Sequence, residues 1–378
     1  MTSLPGLKHL VLLGAGHAHV HVLHALARQR PAELRLTVIT PYTRQMYSGM
    51  LPGVVAGHYS PEQGSIPLGK LIQRSGARHI QASGTAIDAN ARTVTLSNGC
   101  TMAFDWLSLN TGPVMDRDLL DRQMPGAREH ALFLRPIETF AHLWPQVTAL
   151  ARERALQIAV IGAGAAGVEL ALAIDHTLRQ SPCQPGSHVT LVTGGAAPAA
   201  SYPAGTRHRI ERALRQRGIT VLPDQCVGMT ANEILLAGGA RLACDAPVLA
   251  VGAQAPRWLA GSGLALDEAG FVAVNAFQQS TSHDHVFAAG DVSSRVDQPH
   301  PRSGVYAVRA GPPLLANLRA ALAGRPLTAY APQKRTLNLL ACGDRRAIGS
   351  WGRFSAEGAW IWRWKDHIDR RFIQTYSA

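Results

Sequence analysis

Two glycine-rich turns, 148 positions apart, constrain the fold of this chain more than any other feature. The first, Gly14-Ala15-Gly16, follows the apolar segment 10–13, and the second, Gly162-Ala163-Gly164-Ala165-Ala166-Gly167, follows the apolar segment 158–161. A buried strand that enters a helix through such a turn binds a diphosphate, because backbone N–H groups and the helix dipole point at it. Two such units predict an α/β chain that holds two nucleotides.

The second turn is complete, whereas the first departs from the usual pattern. Its third position, usually Gly or Ala, is His19, so either the helix lies further from the sheet or His19 itself contacts phosphate. The strands that follow the two turns end at Thr40 and Thr193, without the acid that usually holds a ribose. We expect these residues to line the two nucleotide sites: Gly14, Gly16, His17, His19 and Thr40 in the first, and Gly162, Gly164, Gly167 and Thr193 in the second.

A third motif downstream completes the first unit. The apolar segment 286–289 ends in Gly290-Asp291 and precedes the helical segment 304–322. This order resembles that of two-nucleotide flavoproteins, in which the Asp of a late strand binds a ribityl hydroxyl of the flavin. The resemblance implies FAD in the first unit and NAD(P)H in the second. The expected fold class is α/β, with two Rossmann-like dinucleotide-binding domains and a small C-terminal α+β segment.

Composition narrows the remaining classes of function. The chain has 378 residues, 46% hydrophobic content and a formal charge of +12, which suits a globular α/β chain with anionic, phosphate-bearing partners. Its arginines are scattered and no nucleic-acid motif accompanies them, so we expect no nucleic-acid partner. The five cysteines lack metal or redox spacing, which indicates a reducing, cytoplasmic location. The apolar stretch 155–174 is long enough for a membrane span, but its glycine motif and Glu169 favour a strand that enters a helix.

The three motifs together resemble the pyridine nucleotide–disulfide oxidoreductase superfamily over nearly the whole chain. The segments 47–59 and 362–372 resemble a narrower group, the flavoprotein domain fused to selenophosphate synthetase, which is similar to type II NADH dehydrogenases and demethylphylloquinone reductases. The resemblance implies FAD, a reduced nicotinamide and a small electron acceptor such as a quinone. Disulfide members carry a Cys-x-x-x-x-Cys motif after the first unit, where this chain has the cysteine-free segment 47–57. Electrons would then pass directly to an acceptor near Tyr47, Met50, Leu51 and Pro52.

Several other residues are candidates for the same site. Thr111 and Gly112 end a crossover strand and are expected to contact the flavin. Glu169 is the candidate catalytic residue, and it either caps its helix or faces the junction between flavin and nicotinamide. His17, His21 and His24 would share a helix face, but they lack a carboxylate or cysteine neighbour, so we expect no metal.

The predicted organisation has three parts. Residues 1–115 and 240–325 form the FAD-binding domain, residues 116–239 form the NAD(P)H-binding domain, and residues 326–378 form a hairpin with an aromatic and basic tail. We expect 41–57 to be a loop. From Lys334 onward nine basic residues face four acids, a net charge of 9 − 4 = +5, and four tryptophans accompany them. The tail suits a membrane surface on the inner face, a packed helix or a homodimer contact. A flavin-binding redox sensor with little turnover is the alternative function.

Overall fold

The computed structural model describes residues 7–182 and 186–377. The first part of the chain contains β1 (Lys8–Leu13), α1 (His17–Arg28), β2 (Leu34–Ile39), β3 (Arg44–Met46), α2 (Leu51–Val55), β4 (Ser65–Pro67), α3 (Leu68–Arg74), β5 (Arg78–Ile80), β6 (Gly84–Asp88), β7 (Thr93–Leu96), β8 (Thr101–Ala103) and β9 (Trp106–Leu109). The middle part contains α4 (Arg117–Gln123), α5 (Ala127–His130), β10 (Leu132–Phe133), α6 (Ile137–Glu153), β11 (Gln157–Ile161), α7 (Ala165–Arg179), β12 (His188–Val192), α8 (Ala204–Gln216), β13 (Thr220–Leu222), β14 (Cys226–Met229), β15 (Glu233–Leu236), β16 (Arg241–Ala243) and β17 (Ala246–Leu249). The last part contains β18 (Val272–Val274), β19 (Val286–Ala288), β20 (Ser293–Arg295), α9 (Gly304–Arg309), α10 (Gly311–Leu322), β21 (Leu337–Ala341), β22 (Ala347–Trp351), β23 (Phe354–Gly358) and α11 (Ala359–Ser377).

Two parallel five-stranded sheets organise the fold. Their strand orders are β19-β9-β1-β2-β5 and β10-β17-β11-β12-β13, so each glycine turn follows the central strand of its sheet. The neighbouring strands β2 and β12 pair in parallel with β1 and β11, as a right-handed strand–helix–strand unit requires. The prediction of an α/β fold with two Rossmann-like units is confirmed. The stretch 155–174 is a strand followed by a helix, and no helix in the described part of the chain is both long and apolar enough to span a bilayer.

The strand pairing shows that one predicted domain boundary lies elsewhere in the chain. β17 pairs with β11 and completes the second sheet, although the sequence analysis placed residues 240–249 with the first unit. The chain returns to the first sheet only with β19, which pairs with β9. The error arose because a short apolar strand fits either sheet, and its neighbours cannot be read from its own residues.

Two other expectations were wrong. Segment 41–57 is not a plain loop, since it contains β3, a short 3₁₀ turn at Ser48–Met50 and α2. Pro52 lies in the first turn of α2, where a missing N–H costs nothing, so it did not mark a break. The predicted C-terminal hairpin has a third strand and is the sheet β21–β22–β23, whereas the aromatic tail is the helix α11, one of the three arrangements considered for it.

The side chain of Asn110 joins three elements beneath the first turn. This residue is only 3% exposed and directly follows β9. Its Oδ1 accepts hydrogen bonds from the backbone N–H groups of Ala18 and His19, both at 3.1 Å, and its Nδ2 donates to the carbonyl of Ala289 at 2.6 Å. One amide therefore fixes the start of α1 to β9 and to the segment after β19.

We expect Asn110→Ala to lower the free energy of unfolding by about 2 to 4 kcal/mol, because it leaves three backbone groups without their partner. Urea denaturation followed by circular dichroism measures this change. The matched control is Asn98→Ala, since Asn98 is an exposed turn residue whose amide accepts one bond from Cys100 N. Equal losses in the two variants would contradict this role for Asn110.

Candidate functional site

The first glycine turn is closed on one side by the strand beneath it. Gly14 has φ +85°, and a Cβ placed there would lie 2.5 Å from the carbonyl oxygen of Asn110. A Cβ on Gly16 would lie 2.6 Å from Asn110 Oδ1. α1 starts at this turn without a side-chain cap at Gly16 and without an acid in its first turn. The turn therefore fits an anionic diphosphate, because the dipole of α1 is not neutralised by a carboxylate.

His19 supports the turn and does not reach phosphate. The residue is completely buried, with Nδ1 2.6 Å from the carbonyl of Gly14 and Nε2 2.8 Å from Ser108 Oγ. Since both ring nitrogens have protein partners, the predicted phosphate contact through this side chain is wrong. Burial lowers the pKa of His19 to about 4, so the ring is neutral. It fills the space that Gly or Ala leaves in other turns of this kind.

His17 is also neutral. Burial, followed by the positive charge of Arg135, lowers the pKa of His17 to about 4. Its ring lies 5.3 Å from that of Tyr47 and 5.9 Å from that of Phe372, centroid to centroid. His17 thus links the first turn to the segment that carries Tyr47 and to the C-terminal helix.

Asp291 follows β19 and faces the second unit. Its side chain is 15% exposed, and its carboxylate lies 3.9 Å from Nη2 of Arg135. Burial raises the pKa of Asp291, and Arg135 opposes that shift. The carboxylate of Asp291 is buried, and its ion pair with Arg135 is too long to be a hydrogen bond. Its oxygens can therefore accept hydrogen bonds from ligand hydroxyls, such as those of the ribityl chain of FAD. Sequence reasoning missed Arg135, which lies between β10 and α6 and matches none of the motifs.

The second turn repeats the geometry of the first. A Cβ on Gly162 would lie 2.4 Å from the carbonyl of Ala250, and one on Gly167 would lie 2.0 Å from the carbonyl of Gly162. A Cβ on Gly164 would meet no atom within 4 Å, and α7 begins there without a side-chain cap. Glycine is needed where backbones approach each other, and Gly164 leaves room for a ligand beside α7.

The ribose ends of both units are uncharged, as expected. Thr193 is 6% exposed, and its hydroxyl donates to the carbonyl of Leu222 at 3.3 Å. Thr40 is 2% exposed, and its hydroxyl accepts from Tyr42 N at 3.4 Å. Arg209, which could have met a 2′-phosphate, lies 3.5 Å from Glu357 of the C-terminal sheet.

Glu169 faces the C-terminal segment and does not cap its helix. A carboxylate oxygen accepts a hydrogen bond from Ala341 N at 2.8 Å. Burial raises the pKa of Glu169 to about 7, against the opposing charge of Lys365. The carboxylate of Glu169 thus lies between α7 and the C-terminal segment.

α11 covers the segment that contains Tyr47, Met50, Leu51 and Pro52. Lys365 Nζ donates to the carbonyl of Gly49 and pairs with Asp369, both at 2.5 Å. Burial raises the pKa of the Tyr47 phenol. The neighbouring carboxylate of Asp369, which accepts a hydrogen bond from the Tyr47 hydroxyl, raises this pKa further. The Tyr47 ring stacks on Phe372 with centroids 4.5 Å apart. Met50, Leu51 and Pro52 are buried.

The remaining candidates lie at the edges of the site. Thr111 is exposed and Gly112 has φ +71°, just beyond Asn110. Cys342 is buried beside Glu169, and burial raises the pKa of its thiol to about 12, so it is not a thiolate at neutral pH. Cys183 lies outside the described residues. No cluster of three or more potential metal ligands occurs within 7–182 and 186–377, and His21 Nδ1 lies 3.1 Å from the Tyr376 hydroxyl.

Comparison with known proteins identifies the family of this chain. The sequence profile of the pyridine nucleotide-disulphide oxidoreductases matches residues 8–311. The chain belongs to this family. FAD and NAD(P)H are the cofactors that this membership implies.

Individual relatives are distant. An NADH dehydrogenase-like protein of Mycobacterium tuberculosis is 28% identical over 244 residues, which are 62% of this chain and 60% of that protein. This chain thus matches less than two thirds of that relative's length. A demethylphylloquinone reductase of Synechocystis is 23% identical over 84% of this chain and 80% of its own. The solved sulfide:quinone oxidoreductase of Aquifex aeolicus has a TM-score of 0.80 at 18% identity and covers 98% of this chain and 91% of that one, which shows a shared fold.

We expect the stability of the protein to fall as pH rises through 7, because Glu169 must lose a proton in a buried site. The pKa of Glu169 is about 7 in the folded protein and 4.5 in the unfolded chain. The stabilisation that the protonated carboxyl provides is therefore complete below pH 4.5 and is lost above pH 7. The free energy of unfolding of the wild type, relative to Glu169→Gln, should fall by about 3 kcal/mol between pH 4.5 and 8.

Urea unfolding at intervals across this range tests the expectation. Glu129→Gln is the control, because the side chain of Glu129 is 81% exposed. A constant difference between wild type and Glu169→Gln at all pH values would show that folding does not shift the pKa of Glu169.

Proposed function

We propose that the protein is an FAD-dependent NAD(P)H oxidoreductase that passes electrons directly to a quinone-like or other small acceptor. The observation that carries this proposal is the meeting of three parts of the chain at Glu169. The second turn leads into α7 and Glu169, the C-terminal segment contributes Ala341 and Lys365, and Lys365 contacts the carbonyl of Gly49. The Tyr47–Pro52 segment contributes no cysteine, so no thiol relay lies between flavin and acceptor.

Different residues of the chain would bind the two cofactors. The first turn, Asp291, Thr111 and Gly112 bind one dinucleotide, and the second turn with Thr193 binds the other. FAD, held by the first turn and Asp291, would supply the capacity to take a hydride from NAD(P)H and to pass two electrons to the acceptor. The protein orients the two rings and excludes water from the junction.

Glu169 is the residue that we propose to handle a proton. A quinone that takes up two electrons also takes up two protons, so its site needs a proton donor near neutral pH. The raised pKa of about 7 places Glu169 in that range, and Lys365 next to it is positively charged. Tyr47 and Asp369 lie on the other side of Lys365 and shape the acceptor end.

The names of relatives support a quinone as acceptor. One relative is a demethylphylloquinone reductase, and the solved structure with the same fold is a sulfide:quinone oxidoreductase. The narrower placement, near the flavoprotein domain that precedes selenophosphate synthetase, also stays a proposal. It rests on the segments 47–59 and 362–372, which are the two segments that meet in the acceptor end of the site.

We also propose that the protein is peripheral on the inner face of a membrane. One face of α11 carries Trp360, Trp364 and Ile368, spaced four residues apart and 57%, 44% and 39% exposed. Arg363 and Arg371 are exposed beside them. Phe354, the first residue of β23, is also 74% exposed. Aromatic side chains flanked by arginines suit an anionic lipid surface. A homodimer contact through the same face is the alternative outcome.

A redox sensor with little turnover is the second candidate function. The uncharged ribose ends at Thr40 and Thr193 favour it, because they bind nucleotides less firmly than a carboxylate would. Steady-state oxidation of NAD(P)H with a soluble quinone separates the two functions, since a sensor would bleach its flavin without fast turnover.

We expect anaerobic NADH or NADPH to bleach the flavin absorbance of the purified protein, and a soluble quinone to restore it. Glu169→Gln should keep the bleaching step, but its reoxidation by quinone should be about 100-fold slower and lose the pH dependence near 7. Stopped-flow absorbance with separate half-reactions measures both, with Glu129→Gln as control. A protein without flavin absorbance, or one that NAD(P)H does not bleach, would refute the proposed function.

For the membrane proposal we expect the triple variant W360S/W364S/I368S to bind vesicles containing phosphatidylglycerol at least about tenfold more weakly than the wild type. Flotation of the flavoprotein with anionic and with neutral vesicles measures the binding. Val296→Ser is the matched control, since Val296 is 56% exposed away from α11. Unchanged flotation of the triple variant would refute this surface, and a change only in oligomeric state would assign it to a dimer contact.

A further inference from the structure

A cleft of about 540 Å³ opens at the edge of the first sheet that is opposite to the glycine turn. Its walls are the start of β1, the end of α1, the start of β2 and the end of α10. Lys8, which lines the cleft, is the first residue of β1, whereas Gly14 follows the last residue of that strand, so about 20 Å separate the cleft from the turn. The cleft has the size of a small-molecule site and is separate from both nucleotide sites.

The charged residues that line this cleft are mostly basic. They are Lys8, Arg30, Arg319 and Arg325 against the single acid Glu33. Within the described residues none of the four cations has a carboxylate at ion-pair distance. The carbonyl ends of α1 and α10 also lie at the cleft, and each contributes about half a negative charge. Four positive charges, less one for the acid and about one for the two helix ends, leave a net charge of about +2.

Backbone carbonyls hold three of these cations in place. Nζ of Lys8 donates to the carbonyl of Leu322 at 2.5 Å, and Nη2 of Arg319 donates to the carbonyl of Gln29 at 2.8 Å. Arg30 is bonded to backbone carbonyls in the same way. The ammonium of Lys8 has three N–H groups and the guanidinium of Arg319 has five, so both keep donors for a ligand.

Arg325 and the apolar wall narrow the choice of ligand. Arg325 follows α10, is exposed, and has no partner for its side chain among the described residues. Pro31, Ala32 and Ala323 supply an apolar part of the lining. None of the lining side chains is aromatic, so the base of a nucleotide would find no ring to stack on. The cleft therefore suits a compact dianion with an aliphatic or sugar part.

We propose that this cleft binds a phosphate monoester at a site of its own, away from both glycine turns. A phosphate monoester carries between about 1.5 and 2 negative charges at neutral pH, which matches the net charge of the cleft. Lys and Arg side chains are the groups that proteins use for phosphate oxygens. The bound ligand would bridge the ends of α1 and α10 and stabilise the first unit. A soluble phosphate ester and the headgroup of phosphatidate offer the same chemistry, and the experiment below separates these two sources.

Isothermal titration calorimetry of the full-length protein with glycerol 3-phosphate tests the soluble source, and glycerol is the uncharged comparison. We expect Arg319→Gln and Arg325→Gln each to bind glycerol 3-phosphate at least about tenfold more weakly than the wild type, because each loses a charge-assisted hydrogen bond. Flotation with phosphatidate and with phosphatidylcholine vesicles tests the lipid source. If the headgroup is the ligand, Arg325→Gln should weaken binding to the phosphatidate vesicles by the same factor.

Arg215→Gln is the matched control. Arg215 is an exposed cation in the last turn of α8, in the second unit, and its loss changes the net charge of the protein as Arg325→Gln does. Glycerol 3-phosphate affinity should not change in this variant. Glu33→Gln removes the exposed acid of the cleft and should bind glycerol 3-phosphate about two- to fivefold more tightly, which a damaged fold could not produce. Circular dichroism checks that each variant is folded.

Two outcomes overturn the proposal. Wild-type protein that binds neither glycerol 3-phosphate nor phosphatidate vesicles more tightly than their uncharged counterparts has no such site. Binding that Arg319→Gln, Arg325→Gln and Arg215→Gln weaken equally, or not at all, would show that the phosphate binds elsewhere on the basic surface. Both outcomes leave the proposed function standing, because bleaching of the flavin by NAD(P)H does not depend on this cleft.

Discussion

The close approach of a strand to a glycine turn sets the geometry of both units. In the first unit the carbonyl of Asn110 lies where a Cβ on Gly14 would be, and in the second the carbonyl of Ala250 does the same beneath Gly162. Each carbonyl belongs to the residue that directly follows a strand beside the central one, β9 or β17. Because only glycine tolerates this approach, the starts of α1 and α7 are fixed relative to their sheets. The positions of Asp291 and Glu169 depend on these two fixed points.

The C-terminal segment completes the site at an energetic cost. Lys365 and Asp369 are 7% and 5% exposed, and burying such a pair is unfavourable unless each group is well bonded. Here the pair is bonded to the carbonyl of Gly49 and to the hydroxyl of Tyr47, and Glu169 lies near enough to feel both charges. A hydrophobic pair would fill the same space at a lower cost in free energy of folding. The retained charges therefore point to a polar task at this junction, in agreement with the proton-handling role proposed for Glu169.

Sequence alone predicted the parts of the fold that depend on local pattern. Both glycine turns, their strands and helices, and the Gly290-Asp291 motif follow from residues that are adjacent in the chain, and the structure has them in the predicted elements. The contacts of Asn110, Arg135, Lys365 and Asp369 could not be found in this way, because each of these residues acts on residues far away in sequence. For α11 the sequence left a packed helix as one of three arrangements of the tail, and its pattern could not decide among them. Its buried residues, spaced by four, are Ile361, Lys365, Asp369 and Ile373, and the two charged ones hide an apolar stripe. His19 shows the opposite error, since a polar residue at a ligand position turned out to bond only to protein.

The two faces of α11 connect the surface of the protein to its interior. Trp360, Trp364 and Ile368 point outward, while Lys365 and Asp369 on the opposite face hold Gly49 and Tyr47. Tyr47 in turn contacts His17, which follows the first glycine turn. The same helix thus carries both the exposed apolar residues and the buried charged pair. If that outer face meets lipid, a quinone dissolved in the bilayer would approach the molecule beside the segment that carries Tyr47 and Met50. The surface and the acceptor end of the site would then be two sides of one element, and an acceptor from the membrane would need no path across the rest of the protein.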